Sequence, residues 1–248
     1  MLSWNDLLTH WLNLLFAAPI DAVLRLLGIH PADPSAPIDN RLALEILIFA
    51  ILIAFFTYVR LTLSVEKPGA VQHIAEMVHE FVESQASQVM GHGYTKHLPV
   101  LTILLFFILL CNLMGLLPGI VTPTATPAVP LGLAFFTWFY YHWFGVRTQG
   151  PIRYMKHFLG PFWWLSWFMF PLEIVSHLAR ILSLTVRLYA NMFASDLITL
   201  VFFAGFPFLL PVFGLGVHFL VALIQTYVFM MLAAIYLTEA TSHETADI

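Results

Sequence analysis

Charged residues are few in this sequence. Asp, Glu, Lys and Arg make up 10% of its 248 residues, whereas a soluble domain carries about a quarter. Hydrophobic residues make up 60%, and the mean hydropathy is +0.86. A surface this poor in charge faces lipid, and the small net charge of -4 gives no sign of nucleic-acid binding.

Cysteine and the usual catalytic motifs are also scarce or missing. The single cysteine, Cys111, excludes an internal disulfide framework and a cysteine zinc cluster. A phosphate-binding glycine loop, an HExxH pair and a nucleophile elbow are all absent from the sequence. We therefore expect no catalytic chemistry of the chain's own, no metal and no cofactor.

Long apolar runs are what the sequence has instead. About 20 apolar residues cross the hydrocarbon core as a helix. The sequence predicts an all-α integral membrane protein, a single membrane domain over residues 1–248, with about five membrane-crossing helices plus amphipathic surface helices. The predicted crossings are 42–60, 97–118, 128–146, 171–205 and 212–238. The prolines of "GFPFLLP" (205–211) predict that the last two crossings form a long helical hairpin.

Three further segments are predicted to lie at the membrane surface. Residues 1–40 form an N-terminal surface segment that ends in a proline-rich linker. Residues 68–91 have apolar side chains at helical spacing and polar ones opposite, which indicates an amphipathic cytoplasmic helix. Residues 157–170 form a short aromatic segment.

Basic residues are concentrated in two loops. They flank the connection between the first two crossings and follow the third, whereas the loop between the second and third has none. By the positive-inside rule, both basic loops lie in the cytoplasm. The N-terminus is then outside and the C-terminus, after five crossings, cytoplasmic. The basic residues are Arg60, Lys67, Lys96, Arg147, Arg153 and Lys156.

The last two crossings contain the polar residues that matter most. A charge at bilayer depth costs roughly 3 kcal/mol or more and is functional by default. The first of these crossings carries Glu173, Ser176, His177, Arg180, Arg187, Asn191 and Asp196, and the second His218, Gln225 and Tyr227.

The spacing of these residues predicts which of them share a face. From Glu173 to Asn191 the series steps by four and three through Leu184, and its other members are polar, so they form one stripe that must face protein or water. Asp196 is nine residues after Arg187 and so lies nearly opposite it, at about 100° per residue. Asp196 and His218 flank the proline turn and are expected near the same membrane surface.

The positions of the charged residues along this predicted helix suggest a barrier between two proton paths. Glu173 and Asp196 are 23 residues apart, roughly 35 Å of straight helix. Titratable groups thus lie near both membrane surfaces. Arg187 lies between them, and its guanidinium cannot release a proton.

Three stretches carry a resemblance to a known family. "LSLTVRLYANMFASDLI" (182–198), "HFLVALIQTYVFMMLAAIYL" (218–237) and "NLMGLLPG" (112–119) resemble subunit a of the F-type ATP synthase, the membrane stator that faces the rotating c-ring. Residues 120–165 match more loosely. Many relatives carry Asn or Asp soon after "PTAT", where this chain has Ala, Val and Pro, so whether this loop lines the outer path stays open.

The resemblance implies a role in coupling proton flow to rotation and ATP synthesis. Arg187 would face the ring carboxylates and separate two offset half-channels. The implied outer half-channel uses Asp196 and His218, with Asn191 and Gln225 as polar lining, and the inner one uses Glu173 with His177 and Ser176. The implied partners are the c-ring, the peripheral-stalk subunit b and membrane lipids. The length and the absence of a targeting segment favour a bacterial plasma (inner) membrane.

Two other function classes fit less well. A proton- or ion-coupled secondary transporter is expected to contain internal repeats, and none is found. A scaffold or voltage-responsive module would space its arginines by three, whereas Arg180 and Arg187 are seven apart. Structural alternatives stay open for single residues: Arg187 paired within the chain, Asn191 and Gln225 as interhelical hydrogen bonders, and Glu173 as a partner of Arg180 or His177.

Overall fold

The regular secondary structure is helical wherever the structure describes the chain. The computed structural model describes residues 9–14, 16, 20–21, 25, 38, 40–64, 68–91, 93–117, 120, 122–154, 166–205 and 210–241. The long helices are α1 (Asn40–Thr62), α2 (Ala70–Met90), α3 (Leu98–Leu113), α4 (Ala128–Gln149), α5 (Ser166–Gly205) and α6 (Leu210–Thr241). The predicted all-α membrane class is confirmed.

Four of the described helical stretches are long and apolar enough to cross a membrane: Leu42–Thr62, Leu98–Leu116, Ser166–Gly205 and Pro211–Thr241. The predicted third crossing, 128–146, forms helix α4, but α4 is not among these four. Its tyrosine, tryptophan and histidine side chains make it less apolar, although its 22 residues are long enough to span.

The helix bounds differ from the predicted segments mainly at the start of the hairpin. Helix α5 begins at Ser166, so residues 166–170 of the predicted aromatic segment belong to it, and Pro171 lies inside the helix. Residues 157–165 lie outside the described residues, as do most of residues 1–40 and residues 206–209 of the predicted turn.

Helices α5 and α6 are far longer than a bilayer requires. At about 1.5 Å per residue, their 40 and 32 residues extend roughly 60 and 48 Å, against a hydrocarbon core of about 30 Å. They pack closely along each other: a Cβ added at Gly214 would lie 3.1 Å from the Thr199 Cα. Helices of this length either tilt strongly or extend beyond the membrane.

The core forms around α6. One apolar cluster joins α2, α3 and α6 through residues such as Val82, Leu101 and Ala234. A second joins α3, α4, α5 and α6 and includes Ala134 and Leu188. Small side chains at these contacts let membrane helices approach closely. Together the two clusters fix the position of the α5–α6 hairpin against the rest of the described chain.

Helix α2 buries only part of its predicted apolar face, since Ile74 and Phe81 are exposed. Val82 and Ala86 are buried in the first cluster, whereas His79 and Glu80 are exposed. Gln72 holds the start of this helix to the end of α1, because its side-chain amide bonds both the N–H and the carbonyl of Ser64 at 3.1 Å.

Candidate functional site

The first part of the site joins α5 to α6 through Asp196 and His218. Asp196 Oδ1 lies 3.1 Å from His218 Nδ1, and the Ser195 hydroxyl lies 3.0 Å from the same nitrogen. On the other side of the ring, Nε2 is 2.9 Å from the backbone carbonyl of Asn112. A carbonyl only accepts, so Nε2 carries a hydrogen, and the exchangeable proton of this imidazole belongs to Nδ1, which faces Asp196.

Polar residues from α3 and the loop before α4 complete this group. The Thr122 hydroxyl donates to Asp196 Oδ1 at 3.0 Å, and the Thr124 hydroxyl donates to Asn112 Oδ1 at 2.6 Å. The Asn112 amide in turn lies 3.3 Å from both the Ala222 carbonyl and the Thr226 hydroxyl. We call this group the Asp196 cluster: Asn112, Thr122, Thr124, Ser195, Asp196, His218 and Thr226.

The Asp196 cluster is closed on one side by a glycine. A Cβ added at Gly115 would lie 2.0 Å from Thr122 Oγ1 and 2.8 Å from the His218 ring. His218 is only 1% exposed and Thr122 is fully buried, so neither can swing into solvent. The absence of a side chain at Gly115 therefore leaves room for both contacts of Asp196.

Arg187 lies apart from this cluster on α5. Its guanidinium donates to Ser183 Oγ at 3.2 Å, one turn earlier in the same helix. Among the residues that the structure describes, no carboxylate lies within ion-pair distance of Arg187. Asp196 points to His218 and Thr122 instead, in agreement with the opposite faces that the sequence spacing predicts.

Asn191 and Gln225 occupy more open positions. Asn191 is exposed on α5, one turn after Arg187, and Gln225 is half-buried on α6. In the described part of the chain, neither forms a hydrogen bond with Arg187. Val186, which precedes Arg187, and Ile224, which precedes Gln225, are exposed apolar residues. The exposed surface of the hairpin is thus mainly apolar and contains a few polar groups.

The second part of the site lies at the other end of α5. His177 Nε2 lies 3.4 Å from Glu173 Oε1, and its Nδ1 lies 2.9 Å from the Tyr141 hydroxyl on α4. Ser176, the residue before His177, is half-buried. We call the depression at this end the Glu173 cleft; it is lined by Tyr141, Gln149, Tyr154, Glu173, His177, Arg180, Glu239 and Ala240.

Helix α4 and the residues after it form one wall of the Glu173 cleft. The His142 ring centre lies 4.6 Å from that of His177, and His142 Nδ1 is hydrogen-bonded to the Tyr154 hydroxyl. Burial raises the pKa of Tyr154 to about 12, so its hydroxyl keeps its proton at neutral pH. Tyr154 packs closely because Gly145 has no side chain: a Cβ there would lie 2.5 Å from its ring.

An ion pair crosses the hairpin at the same end. Arg180 Nη2 donates to Glu239 Oε1 at 2.6 Å, and the guanidinium carbon lies 4.9 Å from the centre of the Tyr236 ring. This contact joins the first half of α5 to the last turn of α6. Arg180 therefore has a carboxylate partner within the chain.

The structure brings four of the predicted residues into two pairs, leaves Arg187, Asn191 and Gln225 outside them, and adds others that sequence reasoning missed. Asp196 pairs with His218, and Glu173 pairs with His177. The missed residues are Asn112, Thr122, Thr124, Ser195, Thr226, Tyr141, Tyr154 and Glu239. A lone asparagine in an apolar run was a usable signal for Asn112, whereas threonines in membrane helices usually bond their own backbone, as Thr137 and Thr185 do.

Comparisons with known proteins identify the family of this chain. The model of the ATP synthase A chain family matches residues 42–238. The ATP synthase subunit a of Koribacter versatilis is 52% identical over 235 residues, which cover 95% of this chain and 96% of that protein. The ATP synthase subunit a of Solibacter usitatus is 40% identical over 88% of this chain and 94% of that protein. The ATP synthase subunit a of Helicobacter hepaticus is 37% identical over 68% of this chain and 76% of that protein. The chain therefore belongs to the ATP synthase subunit a family.

Proposed function

We propose that this chain is the proton-translocating stator subunit of an F-type ATP synthase. It provides two offset half-channels that load and unload the carboxylates of the c-ring, and so couples proton flow to rotation and ATP synthesis. It performs no catalytic chemistry itself. The observation that carries the proposal is the separation along α5 of two proton-binding groups by Arg187, whose guanidinium has no carboxylate partner among the described residues.

The Asp196 cluster serves the outer half-channel. His218 takes up a proton at Nδ1 and exchanges it with Asp196, 3.1 Å away. The Nε2 contact to Asn112 keeps the ring in one orientation while this happens. Asn191 and Gln225 supply polar lining between this cluster and the ring-facing surface.

Arg187 separates the two half-channels. A permanently charged guanidinium repels a proton that approaches it and attracts an ionised ring carboxylate. The carboxylate that lies opposite Arg187 therefore gives up its proton, and the loaded neutral carboxylates turn through lipid. Because Arg187 is hydrogen-bonded only to Ser183 among the described residues, its charge is available to interact with the ring carboxylates.

The Glu173 cleft serves the inner half-channel. Glu173 takes the proton that the ring releases, with His177 and Ser176 next to it, and passes it towards the cytoplasm. The contact between His177 Nδ1 and the Tyr141 hydroxyl fixes the ring so that Nε2 faces Glu173. Glu173 and Asp196 are 23 residues apart on α5, roughly 35 Å, so the two openings lie near opposite membrane surfaces.

The proposed setting is a bacterial plasma membrane. The N-terminus lies outside and the C-terminus in the cytoplasm, on the positive-inside rule. The c-ring binds the side of the hairpin that carries Arg187 and Asn191, and the peripheral-stalk subunit b and lipids bind elsewhere. The exposed apolar residues of the hairpin, such as Leu220 and Ile224, suit both a lipid and a ring surface.

The test uses inverted membrane vesicles that contain the whole ATP synthase with Arg187→Ala. We expect ATP-driven acidification of the lumen to be lost while the complex stays assembled. After removal of the catalytic head, passive proton flow should persist, because the arginine separates the paths and does not conduct. Normal pumping by Arg187→Ala would disprove the proposed role and leave the arginine as a structural residue.

A further inference from the structure

Helix α5 carries two arginines on nearly the same face. Arg180 and Arg187 are seven residues apart, which is about 10 Å along the axis and about 20° around it. They differ in their partners. Arg180 donates to Glu239 at 2.6 Å, whereas Arg187 donates to the neutral Ser183.

Arg180 and Glu239 both line the Glu173 cleft. The Arg180 side chain is 17% exposed and that of Glu239 is 50% exposed. An ion pair with a half-exposed carboxylate contributes little to folding stability. Its main physical effect is on the electrostatic field in the cleft, where it cancels a positive charge next to Glu173 and His177.

An uncancelled Arg180 would interfere with proton transfer through the inner path in two ways. It would repel a proton on its way to Glu173 and His177, and it would be a second cation able to attract the ring carboxylate that Arg187 attracts. Both effects follow from Coulomb interactions of a unit charge in a partly desolvated cleft. The carboxylate of Glu239 removes both.

We propose that Glu239 is a positioning residue of the inner proton path. It neutralises Arg180, so that Arg187 remains the one cation of α5 without a carboxylate partner in the described chain. The Tyr236 ring, 4.9 Å from the Arg180 guanidinium, holds that side chain against the end of α6. This inference rests on the proposed function, because it assigns a role within the inner half-channel.

The test compares variants of the whole complex in inverted vesicles: Glu239→Gln, Glu239→Asp and the double variant Arg180→Gln with Glu239→Gln. Glu80→Gln is the matched control, since Glu80 is an exposed carboxylate on α2. ATP-driven pumping is measured and divided by the amount of assembled complex. This normalisation separates an effect on proton flow from an effect on folding.

Glu239→Gln should slow pumping on the order of tenfold. This is the effect of the uncancelled Arg180 charge on a charged group about 10 Å away, at an effective dielectric constant of about 20. The pumping rate of the double variant should be within about twofold of that of the unmodified protein, since this variant removes both charges. Glu239→Asp and Glu80→Gln should pump normally. A structural role alone would leave the double variant no better than Glu239→Gln.

Normal pumping by Glu239→Gln, or a double variant as slow as the single one, overturns the inference. Arg187→Ala is measured in the same vesicles to keep the two failures apart. If Arg187→Ala stops pumping and Glu239→Gln does not slow it, only the role of Glu239 is wrong. If Arg187→Ala pumps normally, the proposed function itself is wrong.

Discussion

Asp196 on α5 and His218 on α6 are 22 positions apart in the chain, and their side chains meet at 3.1 Å. The imidazole is oriented from its other side, where Nε2 lies 2.9 Å from the Asn112 carbonyl. The proton that His218 gains and loses is therefore the one on Nδ1, directed at Asp196. The two side chains form a unit, and their substitutions should be coupled.

Asp196→Asn and His218→Gln should each slow passive proton flow roughly a hundredfold, the lower end of what a positioned acid or base contributes. Because each group needs the other, the double variant should be no slower than either single one. The measurement is passive flow in vesicles stripped of the catalytic head, normalised to assembled complex. Losses that multiply in the double variant would show that the two groups act independently.

Gly115→Ala should damage the same unit without touching a titratable group. The added Cβ would lie 2.0 Å from Thr122 Oγ1 and 2.8 Å from the His218 ring, so either the backbone at Gly115 or these two contacts of Asp196 must shift. Overpacking of this kind costs about 1–3 kcal/mol. We expect slower passive flow per assembled complex than in the unmodified protein.

Gly132→Ala is the matched control for this substitution. Gly132 lies on α4 with nothing within 4 Å of an added Cβ, so the same change meets open space. It should leave passive flow unchanged. Equal rates for Gly115→Ala and Gly132→Ala would mean that the tight packing at Gly115 has no bearing on the His218–Asp196 contact.

Much of the fold follows from the sequence because lipid leaves few alternatives. A backbone in hydrocarbon must satisfy its own hydrogen bonds, so long apolar runs become helices. The run 42–60 accordingly falls within α1. Aromatic residues made the third crossing ambiguous: 128–146 forms a helix, but its tyrosines and histidine leave it less apolar than the four helices long and apolar enough to span.

The site could be predicted only where helical geometry decides it. The opposite orientations of Arg187 and Asp196 follow from 100° per residue, and the approach of His218 to Asp196 follows from the turn between them. Thr122 could not be found this way. It lies outside the long helices, directly before a short 3-10 helix at Pro123–Ala125. Its contact with Asp196 depends on how this segment packs against α5, which no periodicity encodes.

Asn112 should be needed for stability as well as for proton flow. It is fully buried, accepts from Thr124 at 2.6 Å and lies 3.3 Å from the Thr226 hydroxyl. Asn112→Ala leaves the buried Thr124 hydroxyl without this acceptor, at a cost of about 1–3 kcal/mol. The melting temperature of the detergent-solubilised complex should fall, whereas Thr148→Ala, at the exposed end of α4, should not change it. Unchanged melting of Asn112→Ala would show that this network does not stabilise the fold.

Tyr141→Phe should slow proton transfer at the other end of α5. The hydroxyl that it removes lies 2.9 Å from His177 Nδ1, and the His177 ring presents Nε2 to Glu173 at 3.4 Å. Losing one neutral hydrogen bond costs about 0.5–1.5 kcal/mol, which corresponds to a few-fold slower pumping if His177 must hold this orientation. The neighbouring Tyr140→Phe is the matched control, because its hydroxyl bonds His97 at 3.1 Å instead and does not line the Glu173 cleft. ATP-driven pumping by Tyr141→Phe should thus fall below that of Tyr140→Phe, and equal rates would place His177 outside the proton path.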